Sequence, residues 1–238
     1  MRIKFIQNII DFARGKTTHK NISYAQSGED VIIYQYIQLF NLKNFSWLDI
    51  GAHHPEYLSN TKLFYDNGYH GINIDGDPSL MKEFYKRRNN DINLNVLVSD
   101  KTGAQTFFIL DPPVLNTLSE EEAKRCESLG YKIKEKITVN TMTIGDVLKQ
   151  HTGGVFPDLL SIDAEGYDFE ILKMIHWEKS APKIICVEIG EHSPFMKDNF
   201  SIMKDHAITR YLLEKGYFIS AYTYNNTIFV SNKLIAEK

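Results

Sequence analysis

The stretch Trp47-Leu48-Asp49-Ile50-Gly51-Ala52-His53-His54 decides how this chain is read. A short apolar run ends in a carboxylate, then a glycine, then residues suited to a tight turn towards a helix. An open α/β sheet builds its ligand crevice in this way, at the carboxyl end of its first strand. A second run, Gly71-Ile72-Asn73-Ile74-Asp75, follows at a spacing that fits one helix and a return strand. It too ends in an acid, placed to accept hydrogen bonds from both hydroxyls of a ribose.

Outward from this pair, strand-like runs alternate with helical patterns, and no repeat, low-complexity tract or Pro/Gly linker divides the 238 residues. The alternation predicts an α/β three-layer sandwich, with helices on both faces of a mostly parallel sheet. Strands are expected at 47–51, 71–75, 94–99, 104–110, 136–142, 158–163 and 183–188. Helices are expected after Asn60, from Pro78, over 120–129 and over 144–150. Ser27-Gly28-Glu29-Asp30 opens an earlier helix, with Ser27 as its N-cap. Residues 1–45 read as an N-terminal helical segment covering the pocket, and 46–238 as a single globular unit. Near the end, two β-rich runs at 217–224 and 227–231 flank Asn225-Asn226, which predicts an antiparallel hairpin. Such a hairpin closing a parallel sheet marks the methyltransferase version of the doubly wound fold. A dinucleotide-binding sheet keeps its sixth strand parallel.

Composition narrows the function classes. A net charge of −3, from 27 basic and 30 acidic residues, excludes the basic field that a nucleic-acid partner requires. Lys86-Arg87-Arg88 reads as a solvated helix end. Cys126 and Cys186 are the only cysteines, without a CxxC pair, which argues against zinc. Cys186, inside Ile184-Ile185-Cys186-Val187, is expected as a reduced core residue. No apolar stretch is long enough to cross a membrane. Ile3, Phe5, Ile6, Ile9 and Ile10 fall at helical spacing and predict an amphipathic helix covering the core or a partner subunit, in a possible homo-oligomer. The alternative is weak attachment to a membrane surface. Gln7, Asn8 and Asp11 make this a poor signal peptide, so the expected compartment is the cytoplasm.

The turn after the first strand has one glycine where a dinucleotide pyrophosphate needs G-x-G-x-x-G. Two imidazoles and a proline would crowd a pyrophosphate. S-adenosylmethionine carries no phosphate, and one glycine suffices for its methionine end to pass the backbone. Asp49 then contacts the methionine amino group, directly or through water; alternatively it caps the turn. Asp75 is the ribose ligand, or a turn acid in Asp75-Gly76-Asp77-Pro78. Ser99 and Asp100 end the third strand where the adenine amino group is expected, although Asp100-Lys101-Thr102-Gly103 is also a turn sequence. Asp163 and Glu165 lie beyond the fourth strand; Glu188, Glu191 and His192 lie beyond the fifth. Acids converging there polarise an acceptor hydroxyl, bind a hard divalent ion or orient a base. Glu165 and Asp168 also suit the first turn of the next helix, and Asp168 reads as structural. His53 and His54 fall close to the reacting methyl group.

Residues 23–30, 48–61, 71–75, 115–117 and 160–168 together resemble the FkbM family of S-adenosylmethionine-dependent methyltransferases, with the motifs in family order over roughly residues 22–231. The resemblance implies a class I methyltransferase fold and methyl transfer to a hydroxyl oxygen on a sugar, surface glycan or natural product. Asp49, Gly51 and Asp75 match its cofactor motif, and Ser99 and Asp100 its adenine edge. Gln26, Glu29 and Asp30 match an N-terminal motif expected to fold over the methionine side, although helix capping also explains Ser27 and Asp30. Asn116 and Thr117 match a loop on the acceptor side, where His53 and Glu191 are also placed. The candidate bases are, in order, Asp163, His54 and Glu188. A metal, if used, would fall to Asp163 and Glu188, with metal independence preferred. The rival readings are an N- or C-methyltransferase, a NAD-linked oxidoreductase or nucleotide-sugar enzyme, and a non-catalytic S-adenosylmethionine-binding protein.

Overall fold

The computed structural model describes residues 21–189, 203–223 and 225–236. The N-terminal amphipathic stretch, Glu191 and His192 lie outside the described residues. In chain order the elements are α1 (Glu29–Leu39), β1 (Trp47–Ile50), α2 (Lys62–Asp66), β2 (Ile72–Ile74), α3 (Pro78–Arg87), β3 (Ile92–Leu94), β4 (Leu97–Val98), β5 (Gly103–Asp111) and α4 (Glu120–Ser128). There follow β6 (Lys132–Met142), α5 (Ile144–His151), β7 (Leu159–Ile162), α6 (Asp168–Lys173), β8 (Ile184–Glu188), α7 (Ala207–Glu214), β9 (Tyr217–Tyr222), β10 (Asn226–Ser231) and α8 (Asn232–Ala236). Among the described residues no helix is long and apolar enough to cross a membrane.

Seven strands form one sheet in the order β3-β2-β1-β7-β8-β10-β9. The five from β3 to β8 run parallel, and β10 enters antiparallel between β8 and β9. The expected hairpin therefore closes the sheet. Because side chains alternate across a strand, each run feeds both faces. Leu48 and Ile50, Leu160 and Ile162, and Ile185 and Val187 pack with α5, α6 and α7. Trp47, Leu159, Ile184 and Cys186 face Ile33 and Ile37 of α1 and Phe64 of α2. Helix α1 is thus part of one core layer. Both cysteines are buried and free.

Three expectations are corrected. The third strand is two: β3 joins the main sheet, whereas β4 belongs to a separate sheet in the order β4-β6-β5. Ser27 does not cap α1; Gly28 occupies the N-cap without a side-chain bond, and Asp30 turns back to Ser23 Oγ (2.6 Å) and the Tyr24 amide (2.8 Å). Arg88 is not solvated but fully buried, with its guanidinium paired to Asp91 at 2.8 Å. The charge of Asp91 and the faces of Trp47 and Tyr65 supply what water would otherwise give it.

Candidate active site

A cavity of about 690 Å³ opens at the carboxyl ends of β1, β2, β7 and β8. This is the topological switch point, where the chain leaves β1 for β2 on one side and returns as β7 on the other. Asp49, Gly51, His53 and Asp75 line one half, and Asp163 and Glu188 the other. Gln26, Asn225 and Asn226 reach it from the N-terminal segment and the hairpin turn.

On the β1–β2 side, Asp75 ends its strand buried. Its two oxygens each accept one backbone N–H, from His53 at 2.9 Å and Asp77 at 2.8 Å. Burial pushes its carboxyl up to about 7 against these two lowering bonds. Asp49 is also buried, and burial raises its pKa as well. Gly51 has φ +75°, and a Cβ there would stand 1.8 Å from the Asp163 carbonyl oxygen. The glycine is therefore required by the close approach of β1 to the end of β7.

On the β7–β8 side, carboxylate oxygens of Asp163, Glu165 and Glu188 lie within 4.8 Å of one another. Burial first, and then mutual repulsion, pushes Glu165 up to about 9 and Glu188 up to about 8, and holds Asp163 well above the carboxylate range. Asp163 Oδ1 is enclosed and accepts from no N–H or hydroxyl among the described residues, and the Asp163 and Glu188 carboxyls are close enough to share a proton. Asp168 lies on the cavity wall, yet its Oδ1 accepts from the Ala164 amide at 2.9 Å and holds the turn that presents the cluster.

Several residues singled out from sequence fall elsewhere. His54 does not line the cavity; its Nδ1 accepts from the Glu56 and Tyr57 amides at 3.1 and 3.0 Å and caps a turn. Glu29 is fully buried away from the cavity: Oε1 accepts from Thr223 Oγ1 and Asn226 Nδ2, and Oε2 from the Ser27 amide. It ties the N-terminal segment to the hairpin. Ser99 and Asp100 bond to each other and Ser99 to Gln105 at 2.7 Å, outside the cavity wall. Thr117 is buried and donates to the Glu165 carbonyl at 2.9 Å, so it supports the acid loop from behind. Asn116 does line the cavity, but its side chain is committed to the Leu110 amide and to Asp77.

Other residues in the wall were not singled out from the sequence, although Asn60 falls within the stretch 48–61. Asn60 lines the cavity and reaches Ser161 Oγ at 3.3 Å. Glu122 and Arg125 of α4, paired at 2.7 Å, bound the acid side. Their one legible trace was the charged helix itself.

Residues 49–219 match the family described as Methyltransferase FkbM domain. Among solved structures, a methyltransferase FkbM from Methylobacillus flagellatus KT is similar at a TM-score of 0.42 and 12% identity, over 80% of this chain and 45% of that one. The chain thus spans less than half the length of that protein. No curated protein sequence matches the chain. The family match runs from the acid of β1 into β9 and takes in every strand of the crevice, and on it the chain belongs to the FkbM methyltransferase domain family.

Proposed function

We propose that this methyltransferase takes its methyl group from S-adenosylmethionine and delivers it to a hydroxyl oxygen of a sugar, glycan or natural product. The observation that carries the reading is the gathering of Asp163, Glu165 and Glu188 across the cavity from Asp75.

The residues present fit the donor. A cavity of about 690 Å³ falls within the range of about 300–1,000 Å³ usual for small-molecule sites. Each Asp75 oxygen holds one backbone N–H and keeps a lone pair for a ribose hydroxyl. Asp49 supplies a buried carboxylate for the methionine amino group. When bound, S-adenosylmethionine supplies a methyl carbon already made electrophilic by the sulfonium.

The chain must then align an oxygen with that carbon and accept a proton. Alignment alone is worth about 7–11 kcal/mol when the bound geometry is close to that of attack. Asp163 is the first candidate base, because no N–H or hydroxyl among the described residues donates to its Oδ1 and the neighbouring Glu188 carboxyl can share its proton. Glu188 follows, and His54 is not retained because its Nδ1 is committed to a turn. In the ligand-free cavity burial and repulsion favour the protonated acids; a cationic ligand beside them favours the carboxylate that a base requires. The same three carboxylates would hold a divalent cation, which would acidify the hydroxyl in place of a base.

Transfer of radiolabelled methyl groups from S-adenosylmethionine into fractionated glycans and small metabolites tests the reading. Base-type catalysis expects turnover in the presence of a chelator and its loss in Asp163→Asn. Turnover lost on chelation and restored by magnesium would assign the cluster to a cation. Label found only on amines or carbon would remove the hydroxyl reading.

A further inference from the structure

Beneath Asp49 lies a chain of buried polar side chains. Thr61 Oγ1 donates to Asp49 Oδ2 at 3.1 Å and accepts from Arg88 Nη2 at 3.3 Å. Thr61 and Arg88 are both fully buried and neither lines the cavity. The guanidinium is fixed from every side. Its Nε donates to Asp91 Oδ2 at 2.8 Å and its Nη1 to the Pro55 carbonyl at 3.2 Å, and the Tyr65 ring lies 4.5 Å from its centre. Asp91 is held in turn by Asn73 Nδ2 at 3.0 Å.

A guanidinium has donors only, so Thr61 Oγ1 accepts a hydrogen bond from Arg88 and directs its own hydroxyl hydrogen at Asp49. Asp91 neutralises the guanidinium. The assembly therefore offers Asp49 a directed donor without leaving a net positive charge to compete with a cationic ligand. Asp49 lines the cavity, and Thr61 bonds to it from behind.

We infer that Thr61, oriented by Arg88, is a positioning residue that holds the Asp49 carboxylate towards the α-ammonium group of the methyl donor's methionine end. The inference rests on the reading of the cavity as an S-adenosylmethionine site. It adds a requirement specific to one end of the ligand: the link acts on the amino-acid part and leaves the adenosine part, held by Asp75, untouched.

Calorimetric titration of the purified chain with S-adenosylhomocysteine and with 5′-methylthioadenosine, which lacks the amino acid, separates the two ends. Thr61→Val keeps the volume and removes the hydroxyl. It is expected to weaken S-adenosylhomocysteine binding about tenfold or more, the worth of a hydrogen bond to a charged group, and to leave 5′-methylthioadenosine within about twofold on the same scale. Thr61→Ser is expected to restore the first affinity. Equal loss for both ligands would mean that Thr61 only supports the fold, and no loss for either would mean that the link is idle; each result overturns the inference. Wild-type protein that binds neither ligand, with Asp75→Ala no different, would overturn the donor reading itself. Thermal melting checks folding, and Thr61→Cys, close in volume and a poor donor, repeats the test where valine does not fold.

Discussion

Replacing Gly51 by alanine tests the contact on which the crevice is built. The added Cβ would stand 1.8 Å from the Asp163 carbonyl oxygen and 2.8 Å from its carbon. Opening the first contact to 3.0 Å moves the strand ends apart by about 1.2 Å. The Asp163 amide bond to the Ile50 carbonyl, 3.0 Å long, crosses the same gap and does not survive that shift. A buried bond left unmade costs about 1–3 kcal/mol, and holding alanine at φ +75° adds about 1–2 kcal/mol. The total, about 2–5 kcal/mol, lowers the melting temperature by about 4–20 °C at 2–4 °C per kcal/mol for a chain of this size. Gly68 is the control: its φ is +84°, but a Cβ there meets nothing within 4 Å. Gly68→Ala should therefore show only the conformational cost, a fall of a few degrees. Differential scanning calorimetry of both variants without ligand decides the matter. Equal melting temperatures would refute the argument that β1 and β7 touch through a missing side chain.

Other outcomes follow from the same geometry. Ligand-free protein should lose stability as pH rises from about 4 to 9. The folded Asp75 keeps a proton up to about 7 that the unfolded chain releases near 4, so the stabilisation present at low pH is lost through that window, about 4 kcal/mol for this residue. Glu188 and Glu165, at about 8 and 9, extend the fall, and thermal melts that stay flat or rise over this range would contradict it. Asp163→Asn should lower kcat by about 10²–10⁴ while S-adenosylhomocysteine binding, followed by calorimetry, is retained; a full rate would remove Asp163 as base. Two neighbouring arginines should differ sharply in urea unfolding. Arg88→Ala leaves Asp91 buried without its partner and should cost about 3–5 kcal/mol, whereas Arg87→Ala, at an exposed pair, should cost no more than about 1 kcal/mol.

The central strands were legible because each is a short apolar run with an acid at its crevice end, and burial on both faces demands such runs. The hairpin was legible from its turn residues. What escaped is decided by contacts distant in sequence. The run Leu94-Asn95-Val96-Leu97-Val98-Ser99 is continuous in character, yet Asn95 Nδ2 donates to the Asp75 carbonyl at 2.9 Å and the chain crosses to the second sheet there. Glu29 and Asp30 look like helix-start acids, and nothing local shows that Glu29 reaches Thr223 and Asn226. Lys86-Arg87-Arg88 is a uniform basic triplet; only the aromatic faces and Asp91 distinguish the buried member from its neighbours. Within the site, acids at strand ends were readable. Which histidine faces the cavity was not, because His53 at φ +52° turns the chain between two adjacent imidazoles.

The insertion of β10 between β8 and β9 has a consequence for how the molecule is made. Until residue 231 has left the ribosome, the apolar flank of β8 has no neighbour on that side, because β9 pairs with β10 alone. A nascent chain therefore carries an open, adhesive margin for the whole interval in which α7 and β9 are synthesised, the kind of surface that recruits other strands. Glu29 adds a second delay: it accepts hydrogen bonds from Thr223 and from Asn226, and Asn226 lines the cavity, so the cavity wall is finished by nearly the same residues that seal the sheet. Productive assembly and competence to hold a ligand should thus arrive together, late in translation.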